Sequence, residues 1–336
     1  MKKYVFGVDV GGTSVKLGLF DTDGVLLEKW QIPTRVCDDE NRILQDIADA
    51  VQEKRAERGL KQDEIGGIGM GIPGAVLPDG TVNKCVNLNW GRFQAGAVLE
   101  KLTGSPVRIG NDANVAALGE LFKGSAAGYT SAVMITLGTG VGAGVIQNGR
   151  IVPGAFGAAG EIGHFHMVDG ETETCGCGKK GCLEQYVSAN GIARLGRRYA
   201  EQAGESTILG KNGLIDSIQV FAAAKEGDTA AQQTLESAFD MLGKALAYMA
   251  CVIDPEVFVI GGGVSNAGEV LRHGVEQAYK RYCFHASTDT KIILASLGND
   301  AGIYGACRMA AQIEESYSAN ERYGGRSVPC DQKADM

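Results

Sequence analysis

Two stretches of this chain share one layout, and that repetition limits the fold more than any other feature. KYVFGVDVGGTSVKLGLFD (residues 3–21) reads as a strand, a glycine turn and a returning strand. SAVMITLGTGVGAGVIQNGR (131–150) reads the same way and ends on an Asn148-Gly149 hairpin turn. Asp9-Val-Gly-Gly-Thr13 falls opposite Thr136-Leu-Gly-Thr-Gly140, 127 residues further on. Residue identity between the two is low, so the repeat is one of layout.

Each stretch opens a longer block. The first continues through a third strand, VLLEKWQIP, and a helix over 40–58 with Ile43, Ile47 and Val51 at helical spacing. A strand, IGGIGMGIP, is broken by Pro73 and Gly74, and a short strand, PVRIG, runs into the helix NDANVAALGELFKG, stopped by Gly124. The second block has helices around 188–202, 215–225 and 228–252, then the strand, glycine turn and helix opened by DPEVFVIGGGVS. KIILAS is its last strand and DAGIYGACRMAAQIEE its last helix. Two βββα-type halves imply two α/β domains with a cleft between them. The expected division is 1–120 plus about 300–316, then 121–299. Residues 317–336 are polar and aperiodic and are expected to form a poorly ordered tail.

The 49 glycines gather in short sets after apolar runs: GGT at 11–13, GIPG at 71–74, GTGVGAG at 138–144 and GGG at 261–263. Glycine permits close approach of the backbone to a ligand. A hairpin glycine can simply make a turn. Two matched turns, each flanked by Thr and one led by Asp9, point instead to amide nests around phosphate oxygens. A net charge of -8 argues against a polyanion partner such as nucleic acid. No apolar run approaches the roughly 20 residues of a membrane span. The opening MKKYVFGVDVGG is broken early by Asp9 and reads as a first strand rather than a secretion signal. Six of the nine cysteines stand singly, as reduced thiols do in a cytoplasmic protein; Cys175, Cys177 and Cys182 cluster.

VDVGGTSVKLGLF, GIGMGIPGAV, IGNDANVAALGE, LGTGVGAGVI, GAAGEIGHF with CGCGKKGCLEQY, and LGNDAGIYGA resemble the ROK family, in order, from about residue 4 to 312. That family contains bacterial sugar kinases and sugar-responsive repressors. The resemblance implies an actin/hexokinase-like (ribonuclease H-like) α/β fold with two domains, a central cleft and a zinc-stapled loop. Within the family, the length and the NLNW segment at 87–90 look most like ATP-dependent bacterial glucokinases.

The resemblance makes Asp112 the general base that takes the proton of the sugar's 6-hydroxyl, although an Asp at this junction can also be a helix N-cap. Asp9 would hold hydrated Mg²⁺. Gly11, Gly12 and Thr13 would cradle phosphate from one side and Gly138, Thr139 and Gly140 from the other. Lys16 either neutralises phosphate or is merely solvated. Gly261, Gly262 and Gly263 resemble an adenosine segment, or make a plain turn. Three thiolates, Cys175, Cys177 and Cys182, with His164 suit a closed, structural Zn²⁺ site. His164 completes the family's Glu-x-Gly-His pattern, and His166 is the competing ligand. Glu161, His164 and Glu184 would then meet the sugar, with Gly74, Asn111 and Asn87, the last competing with Asn89. The expected reaction is conversion of glucose to glucose 6-phosphate by a homodimer or higher oligomer. Kinases for N-acetylmannosamine, fructose or allose are the near alternatives. A ROK regulator would carry a helix-turn-helix ahead of the first strand, and here a strand begins at residue 4.

Overall fold

The computed structural model of the protein describes residues 2–37, 42–211 and 213–323. The first half opens with an antiparallel meander of β1 (Tyr4–Val10), β2 (Ser14–Asp21) and β3 (Leu26–Pro33). Helix α1 (Arg42–Glu57) crosses to β4 (Ile65–Ile72), which lies parallel to β1. A small ribbon, β5 (Ala75–Val76) with β6 (Val82–Lys84), and helix α2 (Ala95–Thr103) lead to β7 (Val107–Asn111), parallel to β4. Helix α3 (Asp112–Lys123) follows β7 without a loop.

The second half repeats the plan. β8 (Ala132–Leu137), β9 (Val141–Gln147) and β10 (Arg150–Ile151) form the meander. After a long loop come α4 (Glu184–Val187), α5 (Ala189–Ala203), α6 (Ser217–Lys225) and α7 (Thr229–Ile253). Then β11 (Val257–Gly261) joins β8 in parallel, α8 (Glu269–Tyr282) follows, β12 (Lys291–Leu294) joins β11, and α9 (Ala301–Tyr323) ends the described chain. The sheet orders are β3-β2-β1-β4-β7 and β10-β9-β8-β11-β12. They are the same order, so the layout repeat in the sequence is a repeat of topology.

Strand β4 is buried at all eight positions, which is why it is apolar or glycine on both faces rather than alternating. Its glycines have a packing role. Helix α9 lies on β4 and β1, while α3 lies on β8 and β9, and the two helices pack on each other. A Cβ at Gly69 would overlap the Ala306 carbonyl. One at Gly119 would overlap the Ala301 carbonyl, and one at Gly305 that of Val115. The α3–α9 pair therefore joins the two sheets by direct backbone contact.

Two sequence expectations need correction. The segment before β7 holds helix α2, ended by Gly104 at φ 67°, where the sequence shows no clear periodicity. The aperiodic tail expected from residue 317 is helical to Tyr323, since no glycine or proline between 317 and 323 stops the helix. The rest of that tail, 324–336, lies outside the described residues, as do 38–41 at the expected start of α1. No helix among the described residues is long and apolar enough to cross a membrane.

Close helix contact makes Gly305 intolerant of any side chain. Gly305→Ala is expected to destabilise the fold by about 1–3 kcal/mol or more, read as a lower urea midpoint. Gly12→Ala, which meets nothing within 4 Å, should leave the midpoint unchanged.

Candidate active site

A cleft of 690 Å³ opens between the halves. The first half contributes Asp9, Lys16, Gly74, Asn87 and Asp112; the second contributes Thr136, Gly138, Gly140, Glu184 and Gly262. Gly298, Asn299 and Gly302, at and before the start of α9, complete the wall.

Asp112 is the first residue of α3. The helix cap is its neighbour: Asn111 Oδ1 accepts from the Asn114 N–H at 3.2 Å. Asp112 is thereby relieved of capping, and its carboxylate accepts from the adjacent Ala113 N–H at 2.8 Å. Burial pushes its pKa up to about 6, with the Asp9 and Glu161 carboxylates adding to the rise. A cleft carboxylate shifted in this way is a candidate proton acceptor. The other side of Asn111 donates from Nδ2 to the Gly74 carbonyl at 3.1 Å, tying that turn to the helix. Gly74 has φ 107°, and a Cβ there would press on the Lys84 carbonyl. The two candidate asparagines differ in position. Asn87 lines the cleft, whereas Asn89 occupies the left-handed region at φ 55° and makes the turn.

Asp9 ends the cleft face of β1. Burial pushes its pKa up, against the pull of Lys16. Lys16 Nζ lies 3.9 Å from Asp9 and donates to the Asn299 carbonyl at 2.9 Å. Gly302 packs directly on the Asp9 carboxylate. Gly11, Gly12 and Thr13 form the turn after Asp9, closed by the Gly11 N–H on the Ser14 carbonyl at 3.0 Å. Thr34 braces that turn: its N–H donates to the Thr13 carbonyl at 3.0 Å and its hydroxyl to the Gly11 carbonyl at 2.7 Å. The matching turn at Gly138, Thr139 and Gly140 is closed by the Gly138 N–H on the Gly140 carbonyl. The N–H of Ala189, at the start of α5, holds the Gly138 carbonyl at 2.8 Å. Gly262 (φ 82°) rests on the Leu137 backbone, Gly261 packs on Met134 and Ala295, and Gly263 faces open space.

Beside the cleft, one ligand atom each from His164, Cys175, Cys177 and Cys182 lies within 4.8 Å of every other. Cys177 and Cys182 are 3.7 Å apart, and His164 Nδ1 is 3.9 Å from Cys175. Donors held ~2.0–2.3 Å from one tetrahedral centre are separated by about this much, so the set fits a closed metal site. His166 does not belong to it. Its Nδ1 meets the Lys180 carbonyl and its Nε2 the Asp169 carboxylate, both at 2.9 Å. His164 Nε2 faces Glu161 at 3.9 Å. Glu184 links this cluster to the cleft. One oxygen accepts from Cys175 Sγ at 2.9 Å, and the other lies against Gly140. The loop is anchored from behind by Glu171, which Arg198, Tyr186 and Arg194 surround. Those partners hold its carboxyl well below the usual range, Arg198 most strongly.

Of the residues singled out from sequence, Asp9, Gly74, Asn87, Asp112, Gly138, Gly140, Glu184 and Gly262 line the cleft together. Gly11, Gly12, Thr13, Thr139, Gly261 and Gly263 sit on the turns that carry those residues. Glu161 and His164 lie together on the metal-cluster side, and Asn111 stands behind Gly74. Sequence reasoning missed Thr34, Glu171 and Asn299, because each gains its meaning from a contact made only in the fold.

A model of the ROK family matches residues 5–313. The chain belongs to the ROK family. Its ROK relatives include a glucokinase of Halalkalibacterium halodurans, 39% identical over 319 residues, covering 94% of this chain and 97% of the relative. An N-acetylgalactosamine kinase of Shewanella is 32% identical over 324 residues, with 93% and 98% covered. Among solved structures, a ROK glucokinase of Streptomyces griseus in complex with glucose and AMPPNP matches with a TM-score of 0.70 at 32% identity, covering 92% of this chain and 99% of that one. The fold is therefore the actin/hexokinase-like α/β fold of ROK proteins.

Because Asp112 is raised in the folded state, the fold binds its proton more tightly than the unfolded chain does. That contribution is present below the unfolded value of 3.8 and is lost as pH rises through about 6. Asp112→Asn is thus expected to raise stability by about 3 kcal/mol at pH 8 and by almost nothing at pH 3.5, measured as denaturation midpoints at the two pH values.

Proposed function

We propose that the chain transfers the γ-phosphoryl group of ATP to the 6-hydroxyl of glucose, with Asp112 as general base. The observation that carries this reading is the composition of the cleft. It sets one proton-hungry carboxylate, Asp112, in the same wall as Asp9 and Lys16 of the first half and Gly138 and Gly140 of the second glycine turn. Phosphoryl transfer needs positioning and charge neutralisation more than covalent chemistry. The sugar oxygen bonds to the γ-phosphorus as its proton passes to Asp112. The bond from that phosphorus to the β-bridging oxygen breaks, and ADP leaves. Gly11, Gly12 and Thr13 hold phosphate from one side, Gly138, Thr139 and Gly140 from the other, and the Gly261–Gly263 segment supports adenosine. Lys16, beside Asp9 and held by Asn299, is placed to neutralise phosphate charge.

Gly74, Asn87, Asn111, Glu161, His164 and Glu184 bind the sugar hydroxyls. Carboxylates that accept from hydroxyls discriminate against analogues lacking them. Asp9 would hold Mg²⁺, which supplies charge neutralisation on the phosphates. Cys175, Cys177, Cys182 and His164 would hold Zn²⁺, whose role with four protein donors is structural. Held there, His164 keeps one ring nitrogen for the sugar and Glu184 stays against the second glycine turn. We further propose that the protein works in the cytoplasm as a homo-oligomer. Glucose is preferred because the glucokinase relative is the more similar of the two kinases compared.

ADP release with Mg·ATP, measured across glucose, N-acetylmannosamine, N-acetylgalactosamine, fructose and allose, is expected to be strongest on glucose. Asp112→Asn should lower kcat by ~10²–10⁴-fold. The rate of the parent protein should fall as pH drops through about 6, where Asp112 takes up a proton. Turnover on another sugar alone changes the substrate, and sugar binding without any turnover removes the kinase reading. Metal analysis is expected to give one zinc per chain. Cys177→Ser should lose it and weaken sugar binding at temperatures where the protein remains folded.

A further inference from the structure

Glu120 lies in the last turn of α3, eight residues and about 12 Å along the helix from Asp112. It is 0% exposed, and among the described residues no cation is recorded beside its carboxylate. Its oxygens accept instead from backbone and hydroxyl groups. The Ser125 N–H and hydroxyl donate to Oε2 at 2.9 and 3.2 Å. The Ser296 N–H reaches Oε1 and Oε2 at 3.0 and 3.1 Å, and the Leu297 N–H reaches Oε1 at 2.7 Å. Ser296 and Leu297 follow β12, at the edge of the second sheet. They lead straight into Gly298 and Asn299, which line the cleft, and Asn299 holds Lys16. Asp300, next in the chain, is held by Lys29 of β3 at 2.6 Å.

One carboxylate therefore ties the helix that begins with Asp112 to the turn that walls the Asp9–Lys16 side of the cleft. We infer that Glu120 is a positioning residue for phosphoryl transfer: it fixes the 298–302 turn, and through it Lys16 and Asp9, relative to Asp112. The inference rests on the proposed kinase function and adds the device that aligns its two sides. Both oxygens are needed, because each accepts from a different segment or pair of donors. A glutamine keeps one acceptor and turns an NH₂ toward N–H groups that then lack a partner. The sugar side is held by other contacts, Asn111 to Gly74 and Glu184 to Cys175, which Glu120 does not touch.

The test compares the full-length parent protein with Glu120→Gln, and with Glu120→Asp should the first not fold. Hydrogen exchange of the peptide spanning 296–302, the glucose Kd, and kcat with the KM for Mg·ATP are measured in each. The expected result is faster exchange over 296–302, a glucose Kd within about twofold of the parent, and a kcat about 10–100-fold lower with a raised KM for Mg·ATP, as small misplacements of reacting groups produce. A folded variant with faster exchange but parental kcat and KM overturns the inference, as does one with unchanged exchange. A variant that weakens glucose binding as much as it slows turnover assigns Glu120 a general structural role and also overturns it. A parent protein inactive on every hexose fails the proposed function itself, and the alignment role falls with it.

Discussion

The contact on which the rest depends is the backbone-to-backbone packing of α3 on α9. Each helix belongs by sequence to the end of one half: α3 follows β7 and α9 follows β12. Each nevertheless lies against the other half's sheet, so neither sheet has its cover without its counterpart. Glycines at 119 and 305 permit the approach of the two helices, and Gly69 permits that of α9 to β4; larger residues there would push these elements apart. Both helices also begin at the cleft. Asp112 and Ala113 open one, Ala301 and Gly302 the other, and all four residues line the cavity. Helix N-termini carry partial positive charge, so a joint needed for packing also produces an environment suited to phosphate.

That environment opposes a cluster of acids. Asp9, Asp112 and Glu184 share the cavity wall, and Glu161 is close enough to act on Asp112. Burial raises both aspartates, and Lys16 is the cation that acts on Asp9. Such a site holds charge that the fold alone does not balance. A group held this way lowers the stability of the empty protein above its pKa. The contrast with Glu120 and Glu171 is informative. Those buried carboxylates are saturated, one by N–H and hydroxyl donors and the other by arginines and a tyrosine. Saturated acids fix geometry, whereas the undersupplied ones face the cleft.

Much of this was legible in the sequence, for physical reasons. The paired hairpins showed themselves because glycine turns between apolar strands leave a local signature, and the topology bears out the repeat. Asp112 stood out because a strand end followed at once by a helix places its side chain firmly. The cysteine cluster was legible because short-range spacing brings three of its four donors together. The rest was not, because it consists of pairings across long separations. Glu120 meets residues 176 and 177 positions away, and Thr34 meets the Gly11 carbonyl 23 positions back. No periodicity announces such partners. The capping question was undecidable in the sequence for a different reason. Asn and Asp are equally good caps, and only the dihedral of Asn111, at ψ 141°, shows which one stands outside the helix.

The cysteine loop is tied to the cleft wall through Glu184. Glu184 stands two residues after Cys182 and begins α4, so its backbone is fixed by both. Its side chain bridges Cys175 to Gly140, while Ala189 at the start of α5 holds the neighbouring Gly138. The second glycine turn is thus carried by the same segment that carries the four metal-type donors. Glu171, with Arg194 and Arg198 of α5, closes the arrangement from the far side. The groups proposed to bind hydroxyls and phosphate on this half consequently share one support. A displacement of the loop would disturb both together, because the Glu184 side chain and the Ala189 N–H are what hold it to the Gly138–Gly140 turn. On the first half the same economy recurs with different chemistry: Asn111 caps α3, positions Gly74 and adjoins Asp112, so a single side chain aligns the turn and the acid.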